Sequence, residues 1–377
     1  PFDVKKAFGL PTYKEKDAVY TYHFYRILQR ARRIYITYNT EPDVLEGGEP
    51  SRFIRQLLSD PLLEPFIRHS LASPQAGTVP VFHTEIAKST TLLERIQEKA
   101  LDGLSPTSLS LYIADPLSFY RKSILGIQES DALEETIAAN TFGTVMHESL
   151  ESLYEPLVGE VLTEGHLEHL RASAPAELQK AFQNNYLKGG KAKGKNLIAL
   201  RVMQTYLELF LRMEEKRIRK HEVRLLGVEQ RLRREVTGIP GQNTPVWLKG
   251  TVDRIEALDG RLHIIDYKTG KVAPSDLRIR DWEDLRTNPG KSKAFQVLCY
   301  AWLVQGQPDY ADSGFKAGVF SFKNMGAGFQ WFGEYQDGRR CEEEITTGVL
   351  GRFQTSVQTL IGEILDSQIP FTQNETA

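Results

Sequence analysis

The chain has 377 residues, 25% charged and 41% hydrophobic, with a formal net charge of −2. That length allows two or three domains and at least one large core, and the composition excludes a disordered or fibrous chain. No apolar run approaches the ~18 residues of a membrane span and no secretory leader opens the chain, while the only two cysteines, Cys299 and Cys341, exclude a disulfide framework or a four-thiolate metal site within it.

In chain order, residues 15–34 read as a helix, with Tyr20, Phe24, Ile27 and Leu28 at helical spacing, running into a short strand at Ile34–Tyr38. Ser51 caps a helix to about Leu58. The stretch from Leu71 to about residue 103 reads as connection and not core. Ser105-Pro-Thr-Ser108 is a helix start, and the helix Gly143–Tyr154 places Gly143, His147 and Glu151 on one face. Lys188–Lys195 reads as a flexible basic loop before a long helix over 196–221. Strands follow near 223–236, 245–258 and 261–268, then a helix near 291–305, strands near 316–322 and 329–335, and a last helix near 343–366. Strands flanked by helices around a central hairpin predict a mixed α/β sandwich.

Charge is unevenly spread. Residues 181–235 hold 14 Lys or Arg against 6 Asp or Glu, whereas residues 129–160 hold eight acidic residues and no Lys or Arg. A phosphate-tracking surface beside a cation site fits this pattern, and so do two solvated helix faces of opposite sign.

The chemistry concentrates in one hairpin. Two β-rich runs, Leu248–Leu258 and Arg261–Gly270, are joined by Asp259-Gly260, a strong two-residue turn signal. With that turn, Leu258 faces Arg261, Ile255 faces Ile264, Asp253 faces Asp266 and Thr251 faces Lys268. Alternation then puts Asp253, Ile255, Ile264, Asp266 and Lys268 on one sheet face. Two opposed carboxylates repel, and a hard divalent cation such as Mg²⁺ or Mn²⁺ would neutralise them. The competing reading is a solvated face with a chance carboxylate pair, and a one-residue slip would break the alignment.

Gly250-Thr-Val-Asp253 with Ile265-Asp266-Tyr-Lys268-Thr-Gly270 resembles the nuclease domain of RecB- and AddB-type helicase–nucleases, within the PD-(D/E)XK superfamily. Further marks stand in order: Ser105-Pro-Thr-Ser108 with Asp115-Pro116 and Phe119-Tyr120, then Gly143-Thr-Val-Met-His147-Glu148, then Gln296-Val-Leu-Cys-Tyr300. The likeness covers roughly residues 104–370. It implies a restriction-endonuclease-like core, a central mixed sheet flanked by helices, at 96–377, with a helicase-like remnant at 1–95. It also implies a DNA exonuclease of repair and recombination, working beside a helicase module. His147, Asp253, Asp266 and the Tyr267 carbonyl would bind the metal. Lys268 would orient or activate the attacking water, and Gln296 and Tyr300 would shape the site and contact DNA. Lys191, Lys193 and Lys195 are candidate DNA contacts. Glu229 stands where the family often has a strand glutamate, and the sequence leaves its participation open.

The motif Tyr20–Tyr38 followed by Ser51–Arg55 is similar to the end of a superfamily 1 helicase-like module. No phosphate loop of the Gly-x-x-x-x-Gly-Lys-Ser/Thr kind occurs, so no ATP site is expected. Some AddB-type domains carry an iron–sulfur staple whose first cysteine precedes the Asp-Pro pair. Here Ala114 stands there, and no cluster is expected. The start at Pro1 suggests a domain cut from a longer protein, and the cysteine usage suggests a cytoplasmic one with no membrane partner. The rival function is a nuclease-like DNA-binding or structural subunit that does not cleave. The residues themselves leave exo- against endonuclease action open.

Overall fold

The computed structural model describes residues 13–38, 50–71, 85–127, 137–187, 195–310, 314–336 and 340–373. The chain divides into two compact units, Pro1–Val81 and Phe82–Ala377.

In the first unit, helix α1 spans Tyr13–Leu28 and helix α2 spans Arg52–Ser59. Ser51 caps α2 by accepting a hydrogen bond from the Ile54 amide, as its sequence predicts. Phe24 stacks on Phe53 with ring centroids 4.8 Å apart, and the Arg52 guanidinium pairs with Asp17. The strand expected at Ile34–Tyr38 does not form, for the segment is irregular and pairs with no other strand among the described residues. Its β-branched and aromatic residues favour a strand only where a partner edge offers backbone hydrogen bonds.

The second unit begins upstream of the 95/96 boundary read from the sequence, because helix α3 (Thr90–Asp102) belongs to it. Ser89 caps α3, and Leu92, Ile96 and Ala100 line up at four-residue spacing and enter the core. The segment read as connection thus contributes a packed helix. Helix α4 (Pro106–Ala114) follows with a capping box between Ser105 and Ser108, satisfying amides that would otherwise be orphaned. Asp115 then accepts from the Leu117 and Ser118 amides of the next short turn, which gives the Asp-Pro pair a structural task.

Helices α5 (Ala139–Tyr154), α6 (Glu164–Phe182) and α7 (Lys195–Ile218) form one layer. The sequence reading missed α6, whose interior carries Pro175. Proline normally breaks a helix by removing one hydrogen bond and crowding the preceding turn, but Leu167, Leu170, Ala174, Leu178 and Phe182 bury a continuous stripe that outweighs it.

The central sheet has five strands in the order β1 (Val223–Glu235), β2 (Trp247–Leu258), β3 (Arg261–Lys268), β4 (Phe315–Ser321) and β5 (Phe329–Trp331). The β3–β4 pair is parallel and the other neighbours are antiparallel, so the sheet is mixed, as expected. One face packs on α5–α7 through Ile265, Tyr267 and Phe320. The other packs on helix α8 (Ser292–Gln305), helix α9 (Thr347–Leu365), α3 and α4 through Ile255, Ile264 and Val319. Helix α8 is buried almost all round, from Ala294 to Val304, which explains its apolar sequence. The single strand read at 329–335 is two. Phe329–Trp331 joins the central sheet, while Gly333–Gln336 pairs with Arg278–Ile279 and Arg340–Glu342 in a separate three-stranded sheet. Among the described residues no helix is long and apolar enough to cross a membrane.

Candidate active site

The β2–β3 turn takes the conformation its sequence predicts. Asp259 and Gly260 both have positive φ, 50° and 79°, as a two-residue hairpin turn requires. Pairing runs from Leu258↔Arg261 through Ile255↔Ile264 to Arg254↔Ile265. There the ladder ends, one pair short of the two aspartates, which corrects the expectation that Asp253 and Asp266 are paired across it. The Asp253 carboxylate instead accepts a 2.6 Å hydrogen bond from the Tyr267 amide.

Two features account for this. Val252 and Ile255 lie in the same core cluster although three residues apart, so the alternation of β2 breaks between them. On the neighbouring strand, Glu229 has a φ of 43°, a conformation that non-glycine residues rarely adopt. Strand regularity yields at the point where carboxylates converge, and opposed like charges give it a reason.

A cleft of about 730 Å³ opens there, lined by His147, Asp253, Asp266, Lys268, Gln296 and Tyr300. These are six of the residues that sequence reasoning singled out. The seventh, Tyr267, joins through its backbone: its carbonyl oxygen lies 3.0 Å from His147 Nε2. Each position has a structural cause. Helix α5 carries His147 over the sheet. Gly250 lets α8 approach β2, since a Cβ there would meet Tyr300 Cε1 at 3.1 Å and Leu303 Cδ1 at 3.2 Å. Gln296 and Tyr300, one turn apart on α8, join by a 2.8 Å hydrogen bond from the amide to the phenol oxygen.

His147, Glu229 and Asp253 bring their donor atoms within 4.8 Å of one another, close enough for one metal ion. His147 Nδ1 lies 3.2 Å from Glu229 and 3.5 Å from Asp253. Burial works against a charged His147, yet the Glu229 hydrogen bond and the carboxylates of Asp253 and Asp266 raise its pKa to about 9. Burial, reinforced by the Asp266 charge and opposed by His147, pushes the Asp253 carboxyl up to about 8. Burial and the two aspartates also push the Tyr300 phenol up, so it stays protonated and able to donate.

Asp266 is 2% exposed. Lys268 Nζ donates to its Oδ1 at 3.1 Å and lies 2.9 Å from Oδ2, but Oδ2 receives no properly directed hydrogen bond. A buried carboxylate held by one ammonium group keeps lone pairs free on both oxygens, and a hard cation would engage them. The donor set of imidazole, carboxylates and one carbonyl fits a divalent metal ion.

Residues 103–376 match the PD-(D/E)XK nuclease superfamily. The chain belongs to this superfamily. No curated protein matches it. As in other PD-(D/E)XK chains a nuclease site is expected, and among the described residues the cleft just described holds side chains that fit a divalent ion.

Sequence reasoning left Glu229 open, because its position beside His147 depends on strand register and its unusual backbone. It missed Arg231, Arg233 and Lys249, which also line the cleft. The alternation Glu229-x-Arg231-x-Arg233 on one strand was the available signal. Arg233 stacks on Trp247 at 4.0 Å and Lys249 pairs with Asp102 at 2.7 Å, whereas Arg231 pairs with no carboxylate among the described residues. Lys191 and Lys193 lie outside the described residues. Lys195 opens α7, and its side chain is likewise outside them.

Proposed function

We propose that this chain is a Mg²⁺- or Mn²⁺-dependent deoxyribonuclease, the nuclease part of a RecB- or AddB-like repair and recombination machine working beside a helicase module, and that it acts as an exonuclease. The observation that carries the metal-dependent reading is the meeting of His147, Asp253, Asp266 and Lys268 in one cleft, with the donor atoms of His147, Glu229 and Asp253 within 4.8 Å of one another. The repair assignment rests on the motif series and its order along the chain.

Asp253, Asp266, His147 and the Tyr267 carbonyl would hold the ion. Glu229 keeps the proton on His147 Nδ1, which leaves Nε2, beside the Tyr267 carbonyl, as the ligating nitrogen. A carboxylate behind a ligating histidine commonly fixes the ring in this way. When bound, the cation supplies Lewis acidity for the phosphate and lowers the pKa of water. Lys268 orients the water that attacks phosphorus in line and steadies the charge growing on the phosphoryl oxygens. The bond to the leaving alkoxide breaks, the attacking water gives up a proton to solvent, and the alkoxide takes one from solvent. Tyr300, kept neutral, donates towards the phosphate with Gln296 holding its ring. Arg231 offers an unpaired cation to the backbone of the bound strand, and Lys191, Lys193 and Lys195 extend that contact.

Linear and circular substrates, single- and double-stranded, incubated with the protein and Mg²⁺ or Mn²⁺ test this directly. Metal-dependent loss of linear DNA with circles spared supports exonuclease action. Tight DNA binding with no cleavage under any metal would favour the non-cleaving subunit instead.

A further inference from the structure

A second cleft, of about 620 Å³, lies at the turn end of the same hairpin. It opens on the other side of the sheet from Asp266 and Lys268, because His263, Ile265 and Tyr267 alternate towards the α5–α7 layer. Asp266 and Lys268 of the catalytic cleft stand three and five residues along β3 from His263, roughly 10–17 Å away at ~3.3 Å per residue.

Its wall is aromatic. Phe329 and Trp331 stand side by side with ring centroids 5.8 Å apart and planes 14° from parallel, and both are only partly buried. Cations surround them. The Arg217 guanidinium lies 4.5 Å from the Phe329 centroid and Lys316 Nζ lies 6.0 Å from that of Trp331. The His263 ring leans on Trp331 at 4.7 Å.

Most of these charges are already answered: Arg217 by Glu214 and Glu256, Lys316 by Glu343. Arg261 is exposed and pairs with no carboxylate among the described residues. The carboxylate on the cleft wall, Asp259, is held by His221 at 2.6 Å. His263 is 6% exposed, and its Nδ1 has no hydrogen-bond partner, with Glu256 too far at 3.8 Å. The cleft therefore presents two partly exposed aromatic rings, one unanswered cation and one buried imidazole nitrogen whose nearest carboxylate is 3.8 Å away.

We propose that this cleft binds a segment of single-stranded DNA, with a base stacked on Trp331 and its phosphate on Arg261. Aromatic platforms flanked by cations bind unpaired bases in this way, and a base can reach such a platform only once it has left the duplex. An acidic peptide would satisfy Arg261 but leave the rings without a stacking partner. The site operates without metal and without cleavage, so it stands or falls separately from the catalytic reading.

The test uses the whole chain in EDTA. Oligothymidylate is titrated while intrinsic tryptophan fluorescence reports stacking and the anisotropy of a labelled oligonucleotide reports binding. Saturable quenching is expected. Trp331→Phe keeps a stacking face and should keep the affinity while losing most of the quenching. Arg261→Glu keeps the reporter and should raise the half-saturating concentration about tenfold, the low end of what one stacked and charge-supported nucleotide contributes. Quenching undiminished in Trp331→Phe, or an unchanged half-saturation in Arg261→Glu, overturns the proposal. So does an abasic strand that quenches as well as oligothymidylate, or thymidine monophosphate saturating at the same concentration, which would mark a free-nucleotide site.

Discussion

Asp253 and Arg254 are consecutive residues of β2, and each enters a buried cluster of charge, but the clusters differ in balance. On the α7 side, Arg254 reaches Glu214 at 2.7 Å and Glu256 at 2.6 Å, and Arg217 closes the square by pairing with both glutamates. Two guanidinium groups meet two carboxylates. Burial opposes ionisation of Glu256, yet Arg254 and Arg217 hold it well below the usual carboxylate range. On the cleft side, Glu229, Asp253 and Asp266 converge with Lys268 and the His147 imidazole as their only ion-pair partners among the described residues, and Asp253 is pushed the opposite way. A balanced cluster is a structural solution to buried charge. A cluster short of positive charge is arranged for something that arrives from outside, and proteins accept some loss of stability to keep such sites.

The largest expected effect is catalytic. Asp266→Ala and Lys268→Ala should each lower DNA cleavage by roughly a thousandfold, the scale of losing a group that stabilises transition-state charge, while far-ultraviolet circular dichroism stays that of the parent. Wild-type-like rates in either variant would separate the cleft from the chemistry. On the balanced side the effect should fall on the fold. Glu214→Gln leaves a buried guanidinium partly unanswered and should cost about 3–5 kcal/mol in urea unfolding, as breaking a buried ion pair typically does. A cost under 1 kcal/mol would mean that the square is not a structural device.

The same contrast explains what the sequence could reveal. The hairpin was legible because Asp259-Gly260 fixes its turn and alternation fixes its register. The mixed sheet followed from the order of strands and helices. The end of the ladder at Arg254↔Ile265 was not legible, because it depends on Glu229 of another strand and on repulsion between carboxylates. Glu214 and Arg217 gave no signal either: on a helix rich in Glu and Arg they read as a solvated face, and only packing against β2 buries them. Helix α6 was hidden by Pro175, and α3 by its position after a Pro- and Ser-containing stretch.

Acidity sharpens the comparison further. The folded-state pKa of Asp253 is raised to about 8, so its contribution to stability is full at low pH and is lost as pH rises through 8. That of His147 is raised to about 9, so its contribution is present below the ordinary histidine value and lost as pH rises through 9. Both act in one direction. The metal-free protein should melt at a lower temperature at pH 9 than at pH 6.5, and Mn²⁺, which competes with these protons, should raise the melting temperature more at pH 9. A metal-free melting temperature that climbs over this range would contradict the assignment. The smallest effect concerns Asp253→Asn, which keeps the size and can still accept from the Tyr267 amide. In metal-free buffer at pH 9, where the parent carboxyl has lost its proton, it should be neutral or more stable by about 0.5–1 kcal/mol, the scale of a neighbouring like-charge pair.

The most direct test is a calorimetric titration of the metal-free protein with Mn²⁺ at pH 8, comparing the parent with Asp253→Asn. The parent should bind saturably and release protons to the buffer, seen as a heat that depends on the buffer's ionisation enthalpy. The variant should show little binding while remaining folded. Equal binding by Asp253→Asn would mean that the cation site lies elsewhere and that the carboxylates in this cleft are not gathered for a metal.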